Sequence, residues 1–428
     1  MNEIIRESIS QGVNITYIPE KKFKTTLISF SMYTPIEKNK VSQRALIPGL
    51  ITHSCKKYPS LKDLSIKLEE LYGAGIFSSL SKLGDSQVIT IYAEGLSNTF
   101  ATENQNNTNE LMSLLCEMIF NPDTGEKKFK EENLNIEKEQ LIGDILAEMN
   151  DKKSFARKKC QELMCEKERF GVDIKGDIES AKALTGEDVF EAWEELLSQS
   201  NIEIMVIGQA NIKIITDELK KWFSKIKRNP SLPIENEIIK KAEDVREVTE
   251  NMDVTQCKLV MGLRTEIAYP SEDVPAMILA NALFGGTTQS KLFLNVREKL
   301  SLCYYCSSRF NKHKGIILIE SGVEKEKLED AKKEIIKQLK EIKIGNFTDA
   351  ELTETKLFIS QIIKRTEDSL SSLDSWYVSQ SFLKDMDSPQ DLIKKIENVS
   401  REKVIEVANR ISLDTVYVLS SKEKKEEN

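Results

Sequence analysis

The sequence predicts an α+β fold that consists of two similar halves in tandem. Segments of alternating apolar and polar residues, typical of half-buried strands, are followed in each half by longer stretches with helical periodicity. The same order of strands and helices occurs twice along the 428 residues. Strands that are interleaved with long helices indicate sheets covered by helices, so we expect two duplicated α/β sandwiches.

The elements of the two halves follow a similar order. In the first half, strands are predicted at 13–18, 25–33, 75–82 and 87–94, and helices at 45–55, 61–72, 108–120 and 129–169. In the second half, strands are predicted at 258–264, 302–308 and 315–322, and helices at 274–283, 291–299, 325–343 and 349–369. Each half closes with a helix whose N-cap is a hydroxyl residue, Thr185 or Ser400, and then a β-branched strand. A duplicated unit is therefore predicted.

A proline-containing segment near the middle of the chain predicts the boundary between the halves. Residues 229–237 include two prolines and few large apolar side chains, which is typical of a linker. We therefore predict an N-terminal domain over residues 1–228, a linker over 229–250 and a C-terminal domain over 251–428.

Composition and charge narrow the class of function. The net charge is −8, and lysines and glutamates are interspersed, so the basic patch that binds nucleic acid or an anionic membrane is not expected. No stretch of about 18 apolar residues predicts a membrane span. Seven irregularly spaced cysteines do not form a disulfide framework, and no secretory signal is visible. We expect a cytoplasmic protein.

Titratable residues offer little metal chemistry. The chain has two histidines, His53 and His313, and neither has a second histidine at helical spacing, as a catalytic zinc site would need. Both are expected to be surface or packing residues. Glu137 and Glu139 lie in a helix rich in lysine and glutamate, where a solvated face explains them.

Cys303 and Cys306 have the spacing of a redox pair. Redox CxxC motifs begin at a helix N-terminus, which lowers the thiol pKa, whereas these cysteines fall in a predicted strand. Residues i and i+3 of a regular strand point to opposite faces. We therefore expect two buried, inert thiols.

Four segments, in this order, resemble the pitrilysin/insulinase family of zinc metallopeptidases, in its bacterial, processing-peptidase-like branch. The segments are Leu-Glu-Glu-Leu-Tyr-Gly-Ala at 68–74, Ile-Glu-Lys-Glu at 136–139, Leu-Phe-Gly-Gly at 283–286 and Val-Arg-Glu-Lys-Leu-Ser-Leu-Cys-Tyr at 296–304. The resemblance is strongest to the zinc-free partner subunits of bacterial pairs. It implies that the two halves form a clamshell.

The chain departs from the family pattern at the zinc motif. The resemblance places the HxxEH motif of the enzymes on residues 45–49, where this chain has Ala45, Pro48 and Gly49. The third ligand would fall near Leu146, or on Glu148 after a small register shift. A strand position that the enzymes often fill with asparagine is Phe77. The resemblance therefore implies that this chain holds no zinc and no cofactor.

Two other residues of the family pattern are present in this chain. The resemblance assigns to Arg297 and Tyr304 the role of holding the substrate backbone and stabilising the tetrahedral intermediate, with Tyr305 as the alternative if the register slips by one. A guanidinium and a phenol can both donate to an oxyanion. The alternative is that Arg297 pairs with Glu298 or with solvent and that Tyr304 is an ordinary strand aromatic.

We therefore predict a non-catalytic, substrate-binding subunit of a heterodimeric zinc peptidase, inactive alone. Its partner is an HxxEH-bearing paralogue that supplies the zinc, and its substrate is a peptide or unfolded polypeptide held by strand addition to a sheet edge. A different hypothesis is a scaffold or chaperone-like subunit with no part in proteolysis. A third is a zinc-independent binder of modified elongation factor P or its modifying enzymes.

Overall fold

The computed structural model describes residues 4–102, 105–231 and 234–421. Contacts divide the chain into two compact units. Unit 1 comprises Met1–Ile145, Val172–Glu235 and Thr366–Met386, and unit 2 comprises Leu146–Gly171, Asn236–Arg365 and Asp387–Asn428. Each unit contains one mixed sheet with helices packed on it.

The sheet of unit 1 has six strands in the order β1-β2-β6-β3-β5-β4. They are β1 (Ile5–Ser10), β2 (Val13–Pro19), β3 (Thr25–Pro35), β4 (Gly75–Leu83), β5 (Ser86–Leu96) and β6 (Asn201–Gly208). The β2–β6 pair is parallel, and the remaining pairs are antiparallel. Strand β4 therefore ends the sheet with a free edge.

The chain has fourteen α-helices in the described residues. The first eight are α1 (Val41–His53), α2 (Leu61–Glu70), α3 (Asn107–Phe120), α4 (Glu131–Asn150), α5 (Lys152–Met164), α6 (Ile178–Ala183), α7 (Gly186–Gln199) and α8 (Ile212–Phe223). The others are α9 (Val274–Asn281), α10 (Leu328–Lys343), α11 (Asp349–Lys364), α12 (Leu370–Val378), α13 (Pro389–Glu397) and α14 (Arg401–Asn409). None of these helices is long and apolar enough to cross a membrane.

The sheet of unit 2 repeats the arrangement of unit 1. Its five strands are β7 (Arg246–Met252), β8 (Cys257–Arg264), β9 (Cys303–Asn311), β10 (Ile316–Val323) and β11 (Ser412–Ser421), in the order β7-β11-β8-β10-β9. The β7–β11 pair is parallel and the others are antiparallel, so β7, β11, β8, β10 and β9 match β2, β6, β3, β5 and β4. The predicted duplication of an α+β unit is confirmed.

Both sheets are covered on two faces. Strand β3 is buried over Thr26–Thr34, and β10 is buried over its whole length, so both faces of each sheet need apolar cover. In unit 1, one face packs on α1, α3 and α7, and the other packs on Leu370, Leu373 and Tyr377 of α12. In unit 2, Phe155, Ala156 and Cys160 of α5 pack on the sheet.

The covering helices α5 and α12 explain why the compact units are not contiguous in sequence. The sequence prediction divided the chain at residues 229–250, with each half complete in itself. Helix α5, from the first half of the sequence, belongs to unit 2, and α12, from the second half, belongs to unit 1. Helical periodicity shows that a helix has an apolar face, but it does not show which sheet that face covers.

The boundary near residues 229–237 remains a prediction that proteolysis can test. Residues 232 and 233 lie outside the described residues, and 234–245 contain no helix or strand. Limited proteolysis, followed by mass spectrometry of the fragments, should therefore show a first cut within 229–237. A first cut within 129–169 would contradict this boundary.

Candidate functional site

The zinc-motif positions predicted from the sequence lie on α1, and their side chains offer no ligand atoms. Ala45 packs against the core, and Pro48 is buried inside the helix. The pyrrolidine ring of Pro48 removes one backbone donor, and the Thr52 hydroxyl donates to the Pro48 carbonyl at 2.9 Å. A methyl group, a pyrrolidine ring and the hydrogen of Gly49 provide neither a metal ligand nor a general base.

Gly49 leaves room for a carboxylate from α4. A Cβ placed on Gly49 would lie 1.7 Å from Oε2 of Glu137, so the carboxylate occupies the space that a side chain at position 49 would need. The Glu137 side chain is only 12% exposed. The prediction that Glu137 belongs to a solvated helix face is therefore wrong, because α4 packs this residue directly onto α1.

His53 contacts the same carboxylate one turn further along α1. Its Nδ1 lies 3.1 Å from Oε1 of Glu137. Burial raises the pKa of Glu137, and the negative charge of Asp144 raises it further, whereas His53 lowers it. His53, which was expected to be a surface or packing residue, thus pairs with Glu137 of α4.

His313 has a packing role, as predicted. It is 8% exposed, its ring centroid lies 5.6 Å from that of Tyr269, and burial lowers its pKa to about 3. Across the described ranges, no group of three or more His, Cys, Asp or Glu residues is arranged to hold a metal ion.

Leu146 and Glu148, named from the sequence as third-ligand positions, lie in the last turns of α4, which belong to unit 2. Leu146 is exposed, and Glu148 pairs with Lys158 at 3.3 Å. The residue that α4 presents to Gly49 is Glu137 instead. The signal that could have identified it was already present, because Glu137 belongs to the Ile-Glu-Lys-Glu segment of the family pattern.

Phe77 lies on the free edge strand β4. Its ring is 49% exposed and stacks on Tyr92 of β5, with 5.3 Å between the ring centroids. The ring also covers Gly75, where an added Cβ would lie 2.5 Å from it. An aromatic side chain therefore covers part of this edge.

Arg297 lies on wide helical turns in unit 2, at Leu292–Lys299, which precede strand β9. Its guanidinium lies over the Phe293 ring at 4.7 Å from the centroid, and its Nε is 3.6 Å from a Glu298 carboxylate oxygen. The side chain is 40% exposed. The stacking on Phe293 orients the guanidinium without using all of its hydrogen-bond donors.

Tyr304 is the exposed member of the predicted tyrosine pair. It is 58% exposed, and its hydroxyl donates to Glu324 at 3.0 Å, which raises its pKa. Tyr305 packs under Lys153, whose Nζ lies 4.5 Å from the ring centroid, and burial raises its pKa. The phenol that a ligand can reach, by displacing Glu324, is therefore that of Tyr304 rather than that of Tyr305.

Strand β9 begins with a bulge that changes the prediction for its two cysteines. Cys303 pairs with Val323 and Cys306 pairs with Ser321, so Tyr304 is the extra residue. Val323 and Ser321 are two residues apart on β10, and their partners therefore point to one face of the sheet. The expectation that Cys303 and Cys306 point to opposite faces is wrong, because it assumed a regular strand.

Comparisons with known proteins agree with this arrangement of elements. The chain is 30% identical over 412 residues to the probable inactive metalloprotease YmfF of Bacillus subtilis, covering 96% of both chains. A family profile described as "Peptidase M16 inactive domain" matches residues 183–357. The chain belongs to the peptidase M16 family.

Two further proteins resemble this chain. The uncharacterized zinc protease YmxG of Bacillus subtilis is 22% identical over 322 residues, with 71% of this chain and 74% of that protein covered. A conserved protein of Enterococcus faecalis has the same fold, with a TM-score of 0.89 and 24% identity over 99% of this chain and all of that one. The pitrilysin/insulinase resemblance is confirmed.

Proposed function

We propose that this chain is the non-catalytic, substrate-binding subunit of a heterodimeric M16 peptidase whose partner carries the zinc. The observation that carries the proposal is a contrast within one chain. The α1 positions hold Ala45, Pro48 and Gly49, with Glu137 packed on the glycine, whereas Arg297 and Tyr304 keep exposed donor groups. With these donors and with no metal-binding group among the described residues, the chain can assist a reaction whose metal comes from another subunit.

The proposed role of the pair is to stabilise negative charge. A guanidinium stacked on an aromatic ring is a fixed donor, which needs little reorganisation when an oxyanion forms. The Tyr304 phenol donates its one proton to Glu324, so in this proposal the hydroxyl turns from that carboxylate to the oxyanion. The zinc that activates water and polarises the substrate carbonyl would come from the partner. Substrate in this proposal is a peptide or an unfolded segment that adds to a free sheet edge.

The names of the relatives support a pair in which one subunit carries the zinc and the other does not. YmfF is named a probable inactive metalloprotease, and a zinc protease relative occurs in the same bacterium. A degenerate chain beside a zinc-bearing paralogue is the combination that the proposal requires. We therefore infer that the partner is an M16 paralogue with an intact HxxEH motif.

Co-purification tests the pairing directly. This chain and the HxxEH-bearing paralogue from the same organism should co-purify as a one-to-one complex when they are produced together, and light scattering should give the mass of the heterodimer. If each elutes alone at every concentration, the proposed pairing is wrong.

The isolated chain should bind no stoichiometric zinc, because none of the three α1 positions supplies a ligand. Elemental analysis after dialysis should give well below one zinc per chain, and the His53→Ala variant should give the same value. About one zinc per chain that is lost in His53→Ala would show that His53 and Glu137 form a metal site.

A further inference from the structure

Cys303 differs from the other cysteines in its accessibility. The chain has seven cysteines, all of them described and free. Six of them are buried, with at most 3% of their surface exposed, while Cys303, at the start of the edge strand β9, is partly exposed. A reagent in solution can therefore reach one thiol in the folded chain.

The surroundings of the two β9 thiols differ as well. Hydrogen bonding with Cys306 lowers the pKa of Cys303 to about 7 although burial opposes this, and hydrogen bonding with Ser321 and the positive charge of Arg297 contribute in the same direction. The same hydrogen bond and burial raise the pKa of Cys306. At neutral pH, a large fraction of Cys303 is thiolate and Cys306 is a thiol, which are the states of an attacking and a resolving cysteine.

Two other cysteines of unit 2 do not share the lowered pKa of Cys303. Cys160 and Cys165 lie in the α5 region, and burial raises the pKa of Cys165 to about 12 and that of Cys160 still further. These thiols stay protonated and enclosed. The bulge at Tyr304 sets the β9 pair apart, because it places both sulfurs on one face.

We propose that Cys303 and Cys306 form a peroxide-sensitive redox pair at the edge of the unit 2 sheet. Two observations carry the proposal: the bulge that brings both side chains to one face, and the accessibility of Cys303 beside Arg297. The oxidant is a hydroperoxide, and the product is a disulfide between these two residues. No other cysteine is involved.

The chemistry proceeds in two balanced steps. The Cys303 thiolate attacks the peroxide oxygen, an S–O bond forms, the O–O bond breaks, and hydroxide (or alkoxide) leaves. The Cys306 sulfur then attacks the Cys303 sulfur, the S–O bond breaks, and the oxygen leaves as water with the thiol proton. Two thiols lose two electrons in total, and one hydroperoxide is reduced.

The disulfide would change the corner that holds the predicted donor pair. Tyr304 lies between the two cysteines in sequence, and Arg297 is close enough to influence Cys303. Closing the disulfide links the residues on either side of the bulge, and it also removes the thiolate from beside the guanidinium. This consequence for turnover rests on the proposed function, whereas the redox pair itself does not.

Mass spectrometry of the full-length reduced chain tests the redox pair. Treatment with about one equivalent of hydrogen peroxide should remove two hydrogen atoms from the mass, and peptide mapping should locate one Cys303–Cys306 disulfide. The five other cysteines serve as internal controls and should remain thiols. In Cys306→Ser, a sulfenic acid should accumulate at Cys303 and react with a cyclic 1,3-diketone.

The pH dependence of alkylation gives a second readout. Iodoacetamide should label Cys303 with a rate that reaches half its maximum near pH 7, as the lowered pKa requires, rather than near the ordinary thiol value of about 8.5. In Arg297→Gln, this midpoint should move to higher pH. Cys303 reacting as slowly as the buried thiols, or oxidising past sulfenic acid without forming the disulfide, would overturn the proposal.

The two proposals can fail separately. The thiol experiments need only this chain, so their outcome does not depend on a partner. If the disulfide forms but the peptide turnover of the heterodimer is the same in its reduced and oxidised states, the redox pair stands and its effect on the proposed donor corner is contradicted.

Discussion

Arg297→Ala and Tyr304→Phe should each lower the peptide turnover of the heterodimer by about tenfold to a thousandfold, the scale for losing one oxyanion-type donor. Both side chains are partly exposed, and neither belongs to the apolar core, so the variants should fold and pair normally. Turnover at saturating peptide, measured on the purified complex, tests the expectation.

The kinetic constants show whether Arg297 and Tyr304 act in the transition state or in substrate binding. Contacts that form chiefly in the transition state lower kcat, whereas contacts that hold the substrate from the start raise KM. Arg297→Lys should restore activity only in part, because an ammonium lacks the planar fork of donors. Lys299→Ala, a charge removal on the same wide turns, is the matched control and should leave turnover unchanged. Full activity in both Arg297→Ala and Tyr304→Phe would favour the scaffold hypothesis.

Glu168→Gln should destabilise unit 2 by about 3–5 kcal/mol, the scale for breaking a buried ion pair. Glu168 accepts from Arg264 at 2.7 Å and lies 2.9 Å from the Lys314 ammonium, and all three side chains are at most 1% exposed. The substitution leaves two buried cations, with Asp414 as a remaining partner of Arg264 at 2.9 Å. Urea unfolding followed by circular dichroism measures the loss.

The pH dependence of the same variant has a defined sign. Burial would raise the pKa of Glu168, but the hydrogen bonds from Arg264 and Lys314 outweigh it and lower the pKa. A carboxyl whose pKa is lower in the folded state stabilises the fold at pH values above its unfolded pKa of about 4.3. This stabilisation is lost as the pH falls through the folded-state pKa. The stability difference between wild type and Glu168→Gln should therefore be largest near neutral pH and shrink in acid.

A surface pair provides the control for this effect. Glu166 pairs with Arg246 at 2.7 Å, but both side chains are about half exposed. Glu166→Gln should cost less than about 1 kcal/mol, since exposed pairs are screened by water. Equal losses in Glu166→Gln and Glu168→Gln would contradict the stabilising role of the buried cluster.

The sequence was sufficient for the duplication but not for the packing of the covering helices. Alternating residues located β2, β3 and β5 because one-dimensional periodicity is a local property of the sequence. The exchange of α5 and α12 depends on contacts between residues far apart in the chain. No local pattern contains that information.

In the candidate site, too, local sequence segments were predictive and contacts between distant residues were not. Arg297 and Tyr304 were found because they belong to a continuous segment that resembles the family. The contact between Glu137 and Gly49 joins two helices, and counting residues along α4 led to Leu146 instead. The bulge at Tyr304 is a departure from regular strand geometry, which an assumption of strict alternation necessarily misses.

The central claim is that this chain completes the active site of a zinc-bearing partner. The measurement that tests it most directly is peptide turnover by the partner alone, by this chain alone and by the one-to-one mixture, at equal partner concentration. We expect no turnover by this chain, little by the partner alone, and a rise of at least about tenfold in the mixture that is lost when both Arg297→Ala and Tyr304→Phe are introduced. Equal turnover by the partner with and without this chain would contradict it.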